Sequence, residues 1–186
     1  MSDTSHRAPL ALDQTLMPLR ERADYGIAEP LFSTSNSTGL APGVMLHLDP
    51  EARFSGTWSS PDGRLVEMHT EATRPGAWFG LHIALPGEAA DLGHVRWIGI
   101  VARTSALHAA AIRVGLRSGL AEGGFQDSFF GRHILSQPRQ SDHHDLLCPA
   151  DLPDLPQRAD WRELVLFLPP AAPLDWVLHD LRIYAL

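Results

Sequence analysis

Histidine and carboxylate side chains carry the most evident chemistry in this sequence. The chain of 186 residues has ten His, and the densest cluster is SDHHD at 141–145, with His133 upstream. Imidazole and carboxylate groups are good ligands for zinc or iron. His143 and His144 are adjacent, however, so in an extended strand they point to opposite sides. We therefore predict a surface-loop cluster here and assign no metal ligands.

Nucleophilic and acid–base sites are equally weakly indicated. The sequence has no G-x-S-x-G motif and no Gly-rich phosphate loop, and Cys148 lies beside Pro149 in an apolar stretch typical of an unreactive thiol. Glu67, Glu71 and Glu163 are strand carboxylates, but a glycosidase pair is defined by its spacing in the fold. No catalytic residue is assigned.

Charge and composition exclude several kinds of partner. The net charge is −7, and all 15 basic residues are Arg, without a basic block. Duplex nucleic acid and anionic membrane surfaces are therefore not expected as partners. No apolar run approaches a membrane span or a secretory leader, and the lone Cys148 forms no intramolecular disulfide. These features predict a cytoplasmic protein.

The elements that position these residues are predicted to be short strands. The 15 Gly and 15 Pro are dispersed between apolar runs, and the runs alternate with a period of two. We predict an all-β fold: a two-sheet antiparallel β-sandwich of nine or ten strands over residues 44–186. Residues 1–43 form an irregular N-terminal arm and linker, with a loop over 32–43.

Alternation also predicts which side chains face the core. Within 110–119, Ile112, Val114 and Leu116 oppose Arg113 and Arg117. Strand 161–168 places Leu164, Leu166 and Leu168 on one face. In the final segment, 175–186, a strict period of two groups Val177, Leu181, Ile183 and Ala185, interrupted by His179.

The end of the chain resembles a known group of domains. Trp161 opens the penultimate strand, WRELVLFL, and the last strand carries Asp180-Leu181-Arg182-Ile183. This pattern, with a G-x-W strand at Trp58 before WFGLHIALP, resembles carbohydrate-binding modules and galactose-binding-like jelly rolls. The resemblance covers about 44–186. It implies a non-catalytic domain that binds a saccharide on a concave sheet face or at loops along one edge.

Saccharide binding requires an aromatic platform for the ring and fixed polar groups for the hydroxyls. The candidates that this resemblance implies come from successive strands expected to share one face: Trp97, Arg103, Arg113, Arg117, Gln126 and Phe130, with Arg132 or His133 at the rim. Each has an alternative role. A strand Trp is more often part of the core, exposed Arg side chains are often merely solvated, and Asp180 and Arg182 can pair with each other.

Two other functions stay open. One is a protein-interaction or assembly domain without sugar affinity, in which case further copies of the chain are candidate partners. The other is a metal-dependent enzyme on a cupin-like barrel, although His82 and Glu88 lack the second His of an H-x-H pair. No organic cofactor is expected, and the resemblance leaves room for a structural calcium ion held by loop carboxylates and carbonyls.

Overall fold

Strands account for nearly all regular structure in the computed structural model, which describes residues 9–21, 27–33 and 35–186. The strands are β1 (Leu10–Ala11), β2 (Glu29–Pro30), β3 (Ser37–Ala41), β4 (Val44–Leu48), β5 (Arg53–Ser59), β6 (Val66–Arg74), β7 (Phe79–Ala84), β8 (Ile98–Ala106), β9 (Ala110–Gly119), β10 (Phe125–Ser136), β11 (Ser141–Leu147), β12 (Arg162–Phe167) and β13 (Leu174–Ala185). The helix α1 is Met17–Arg20, and 3-10 turns form at Gln14–Leu16, Gly87–Ala90 and Pro149–Asp151. Within these described ranges, no helix combines the length and apolar character that crossing a bilayer requires.

The strands form two antiparallel sheets, which confirms the predicted β-sandwich. One sheet has the order β11-β8-β13-β6-β5-β2, with β1 also paired to β13. The other has the order β10-β9-β12-β7-β4-β3. They are called the seven-stranded and the six-stranded sheet below. The thirteen strands exceed the predicted nine or ten because three short ones form before residue 44.

The core lies between the sheets and follows the predicted alternation closely. Ile112, Val114 and Leu116 of β9 are fully buried, as are Leu164 and Leu166 of β12. Their neighbours in sequence point away from the core because successive strand side chains alternate. In the six-stranded sheet, the residues that alternate with these buried leucines, isoleucines and valines therefore point outward.

Strand β13 departs from strict alternation at a bulge. Its register against β8 shifts between Leu178 and Asp180, which leaves His179 as an extra residue. Trp176 and Leu178 face the core before the bulge, and Leu181 and Ile183 face it afterwards. The predicted grouping of Val177 with Leu181 is therefore wrong, because one inserted residue exchanges the two faces of a strand.

The described part of segment 1–43 is built into the sandwich. β1 pairs with the end of β13, and β2 pairs with β5. The loop predicted over 32–43 is wrong in its second half, because Ser37–Ala41 forms β3. A hairpin at Gly43, whose φ is +75°, returns this edge strand to β4. Hydrogen bonds to the backbone of β4 hold this segment as a strand, although its small and polar residues give little indication of one.

Candidate functional site

The outer face of the six-stranded sheet carries a cleft of about 590 Å³. Strands β4, β7, β12, β9 and β10 all contribute outward side chains to it. We call it the sheet cleft, and its lining residues are His47, Trp78, His82, Arg117, Phe125, Asp127, Trp161, Glu163 and Phe167. Cross-strand register brings them together: Glu163 pairs with Arg117 on one side and with Ala84 on the other, and Arg117 pairs with Asp127.

Two tryptophans lie at opposite ends of the sheet cleft. Trp78 precedes β7 and Trp161 precedes the antiparallel β12, and their side chains are 37% and 43% exposed. Trp58 and Trp176, by contrast, are buried in the core. Exposed indoles beside a cleft can cover an apolar ring face, since an aromatic side chain offers a large flat surface at low conformational cost.

Glycines under the aromatic rings let these rings lie close to the sheet. A Cβ atom added to Gly119 would fall 2.2 Å from Nε1 of Trp161. A Cβ added to Gly115 would fall 3.1 Å from the ring of Phe167. Glycine has no Cβ, so the backbone of β9 can be approached directly. The absence of side chains at these two outward positions deepens the sheet cleft.

Arg117 and Asp127 form a fixed polar pair at the wall of the sheet cleft. Nε and Nη2 of Arg117 donate to the two carboxylate oxygens of Asp127, each at 2.8 Å. The guanidinium carbon also lies 3.8 Å from the centroid of the Phe125 ring. A bidentate, stacked guanidinium is held in one orientation, and its remaining N–H groups are available as directed donors.

His47, His82 and Glu163 form a second polar group across three strands. Nδ1 of His82 lies 2.8 Å from Oε2 of Glu163, and the His47 and His82 rings meet edge to face with centroids 4.7 Å apart. Because an ionised carboxylate only accepts, Nδ1 of His82 carries the proton. Nε2 of His82 is buried and has no hydrogen-bond partner among the described residues.

The environment of this group shifts two pKa values in the same direction. The hydrogen bond from His82 lowers the pKa of Glu163, against the opposing effect of burial. Burial lowers the pKa of His47, and the neighbouring His82 adds to that effect. At neutral pH the sheet cleft therefore contains an ionised Glu163 beside an uncharged His47.

Three of the eight residues predicted for the site lie on this outer face. Arg113 and His133 are cross-strand partners on β9 and β10, and Arg117 is part of the cleft wall. Arg113 stacks on Phe129, with its guanidinium carbon 3.3 Å from the ring centroid. These three predicted residues therefore share one sheet face, as the alternation of β9 implies.

Four of the predicted residues do not share this face, and a fifth lies in a strand irregularity. Trp97 lies just before β8 and Arg103 lies within it, in the seven-stranded sheet, because β8 pairs with β11 and β13 rather than with β9. There Arg103 donates to Asp142 at 2.7 Å. Phe130 is a core residue, only 5% exposed. Gln126 lies between Phe125 and Asp127, which face the sheet cleft, so it points to the opposite side of the strand. Its side chain donates to the Asp154 carbonyl at 2.6 Å. Arg132 lies where the β9–β10 register shifts, and its backbone N–H donates to Asp145.

Most residues of the sheet cleft were not among the sequence candidates. The sequence marks Trp161 as the residue that opens the penultimate strand and Glu163 as a strand carboxylate, but it assigns neither residue to the site. The alternation of β12 does place Glu163 and Phe167 outward, opposite the buried Leu164 and Leu166. An outward aromatic beside an outward glycine on the neighbouring strand is the signal that could have located the cleft.

The SDHHD cluster forms a strand, β11, and not the predicted loop. As predicted, its two histidines point to opposite sides. Nε2 of His144 lies 2.6 Å from the hydroxyl of Tyr184 on the outer face, whereas Nε2 of His143 is buried and burial lowers the pKa of that side chain. Across residues 9–21, 27–33 and 35–186, no group of three His, Cys, Asp or Glu side chains is placed to hold a metal ion.

Comparison with known proteins finds similarity in structure and not in sequence. No protein-family model and no curated protein sequence matches the chain. The CBM22-1 xylan-binding domain of Paenibacillus barcinonensis Xyn10C is similar, with a TM-score of 0.47, 11% identity and coverage of 86% of this chain and 92% of that one. The family 11 carbohydrate-binding module of the Clostridium thermocellum cellulase Lic26A-Cel5E has a TM-score of 0.48 and 14% identity, covering 86% of this chain and 88% of that one.

A third similar structure is also a carbohydrate-binding module. The family 30 carbohydrate-binding module of the Clostridium thermocellum cellulase Cel9D-Cel44B has a TM-score of 0.48 and 11% identity, covering 84% of this chain and 90% of that one. The similar solved structures are mainly carbohydrate-binding modules with a β-sandwich fold.

Proposed function

We propose that this chain is a non-catalytic glycan-binding module and that the sheet cleft is its binding site. The observation that carries the proposal is the position of Trp78 and Trp161, two exposed indoles at opposite ends of one open cleft. An oligosaccharide lying along the paired strands β12 and β7 can stack on both. A cleft of about 590 Å³ suits a short stretch of a saccharide chain.

The polar groups between the two indoles suit hydroxyl recognition. Arg117, Asp127 and Glu163 offer donors and acceptors that are already oriented by their own hydrogen bonds. Preoriented groups lose little conformational freedom when a ligand binds. The Arg117–Asp127 pair is internally neutral and Glu163 is ionised, so the centre of the sheet cleft suits an uncharged saccharide backbone better than an anionic one.

The two carboxylates of the sheet cleft favour binding over cleavage. A glycosidase needs one carboxyl group that stays protonated near neutral pH and acts as the general acid. Asp127 is held by the Arg117 fork, and the pKa of Glu163 is lowered. Glu163 therefore stays ionised at neutral pH, and both oxygens of Asp127 already accept hydrogen bonds from Arg117, so neither group is placed as a free proton donor.

Isothermal titration with a panel of soluble oligosaccharides tests the proposal directly. Wild-type protein is expected to bind at least one member. Trp161→Ala and Trp78→Ala are each expected to weaken that binding about tenfold, in line with the energy of an aromatic stacking contact.

The matched control is Trp97→Ala, since Trp97 adjoins the seven-stranded sheet. Trp97→Ala should bind as wild type does. Absence of binding to the whole panel, or equal losses in all three variants, would refute the assignment of the sheet cleft.

A further inference from the structure

A second hollow of about 460 Å³ lies next to the sheet cleft on the same outer face. We call it the basic hollow. Phe167 lines both the hollow and the sheet cleft, so the two spaces adjoin. The polar side chains of the hollow are His108, Arg113 and His133, and Pro169, Pro170 and Pro173 form an apolar rim. Its lining, drawn from the described residues, contains neither Asp nor Glu.

Arg113 is the main charged group in the basic hollow. Its side chain is exposed, and its guanidinium carbon lies over the Phe129 ring, 3.3 Å from the ring centroid. Within the described part of the chain, the Arg113 side chain has no hydrogen bond and no ion pair. Arg117, two outward positions further along β9, instead uses its fork on Asp127. Arg113 thus combines a fixed orientation with an unused set of donors.

Such an arrangement matches an anion better than a hydroxyl group. A guanidinium stacked on an aromatic ring keeps its N–H edge free, and that edge fits carboxylate or sulfate oxygens through two parallel hydrogen bonds. His133, directly across from Arg113, and His108 add ring nitrogens that can hydrogen-bond to the same group. The basic hollow therefore carries positive charge that the protein itself does not neutralise, although the whole chain has a net charge of −7.

We propose that the basic hollow is a subsite for an acidic substituent, a carboxylate or a sulfate, on the glycan that occupies the sheet cleft, and that Arg113 determines this specificity. The inference rests on the proposed glycan binding and names the class of glycan. The uncharged backbone stacks on the indoles, while an acidic group beyond Phe167 reaches Arg113. The preferred ligand is accordingly an acidic polysaccharide.

Matched pairs of ligands that differ only in charge provide the test. One pair is a set of glucuronoxylan oligosaccharides and the same set after reduction of the carboxyl groups. The other pair is a sulfated galactan oligosaccharide and its desulfated form. Wild-type protein is expected to bind the acidic member of at least one pair roughly tenfold more tightly than its neutral counterpart, as a charge-assisted bidentate contact allows. The pair that shows the preference identifies the anion.

Arg113→Met assigns the preference to one side chain. It keeps an unbranched stem to pack on Phe129 and removes the charge, so the affinities for the acidic and neutral members should become equal. Arg96→Met is the matched control, because Arg96 is exposed and lies just before β8 of the other sheet. Circular dichroism and thermal unfolding of both variants verify that the fold is retained.

The outcomes separate this inference from the proposed function. Equal binding of acidic and neutral members by wild-type protein overturns the acidic subsite and leaves glycan binding intact. Failure to bind any member of either pair, or of the neutral panel above, removes the proposed function and the subsite with it. An acidic preference that survives in Arg113→Met overturns the role of Arg113.

Discussion

The indole of Trp161 occupies the space that a side chain at Gly119 would need, since a Cβ atom there would lie 2.2 Å from Nε1 of Trp161. The two residues are also joined through the backbone, where the Gly119 N–H donates to the Trp161 carbonyl at 2.9 Å. Because Gly119 has no Cβ, the Trp161 ring can lie against the backbone of β9. This contact sets the orientation of Trp161, one of the two indoles of the proposed binding site.

Gly119→Ala is expected to displace the Trp161 ring and to weaken glycan binding about tenfold, at a stability cost of about 1–3 kcal/mol for the forced repacking. Near-ultraviolet circular dichroism reports the indole environment, and titration reports affinity. Gly39→Ala is the matched control, because nothing lies within 4 Å of a Cβ at that outer-strand position. An unaltered indole signal in Gly119→Ala would contradict the proposed packing.

The Arg117–Asp127 pair should contribute measurably to stability. Its side chains are only 14% and 19% exposed, so removal of one partner leaves a largely desolvated charge. We expect Arg117→Met to lower the free energy of unfolding by about 1.5–3 kcal/mol, and Asp127→Asn added to it to recover part of the loss. Urea denaturation of the four proteins of this double-mutant cycle measures the coupling.

The exposed pair Arg103–Asp142 provides the comparison for that cycle. It has the same residue types on the other sheet, with side chains 50% and 63% exposed. Its coupling energy should be clearly smaller than that of Arg117–Asp127 because water screens it. If the two cycles give the same value, burial is not what strengthens the Arg117–Asp127 pair.

Glu163 should make stability depend on pH in the acid range. Its folded-state pKa lies below the 4.5 of an unperturbed Glu, because His82 hydrogen-bonds its ionised form. Such a group stabilises the fold fully above pH 4.5, and this contribution is lost as the pH falls through the folded-state pKa. Glu163→Gln should therefore be less stable than wild type at neutral pH and should lose less stability on acidification.

Urea denaturation of both proteins at neutral and at acid pH tests this expectation. Glu71→Gln serves as the control, because Glu71 is 63% exposed on the seven-stranded sheet. Parallel stability curves for wild type and Glu163→Gln across the acid range would mean that Glu163 titrates alike in the folded and unfolded chain.

Arg162 is expected to be among the most sensitive positions for stability. It is 2% exposed and donates to the Ala89 carbonyl at 2.8 Å, to the Pro156 carbonyl at 2.5 Å and to the Ser118 hydroxyl. Burial lowers its pKa to about 10, so it stays charged at neutral pH. Arg162→Met leaves these acceptors without a donor and should cost about 3 kcal/mol or more in thermal or urea unfolding.

Arg158→Met is the matched control for Arg162→Met. Arg158 is 85% exposed and pairs with Asp91 at the surface, so its loss should change stability by about 0.5 kcal/mol or less. If both variants were equally stable, the hydrogen bonds of Arg162 would have no net value for the fold.

Local patterns in the sequence were enough to predict the class of fold and the inward and outward faces of many strands. Alternation with a period of two is a local property, because each L-residue in an extended chain points opposite to the one before it. It correctly separated Ile112, Val114 and Leu116 from Arg113 and Arg117. The same regularity placed Leu164 and Leu166 in the core.

Long-range contacts, by contrast, set which strands became neighbours and where alternation changed phase. Trp97 and Arg103 are close in sequence to Arg113, but β8 and β9 lie in different sheets, so the predicted single face was divided between two surfaces. The bulge at His179 exchanges the faces of β13, and a register shift near Arg132 alters β10. Sheet order and bulges arise from contacts between residues distant in sequence, which local alternation does not encode.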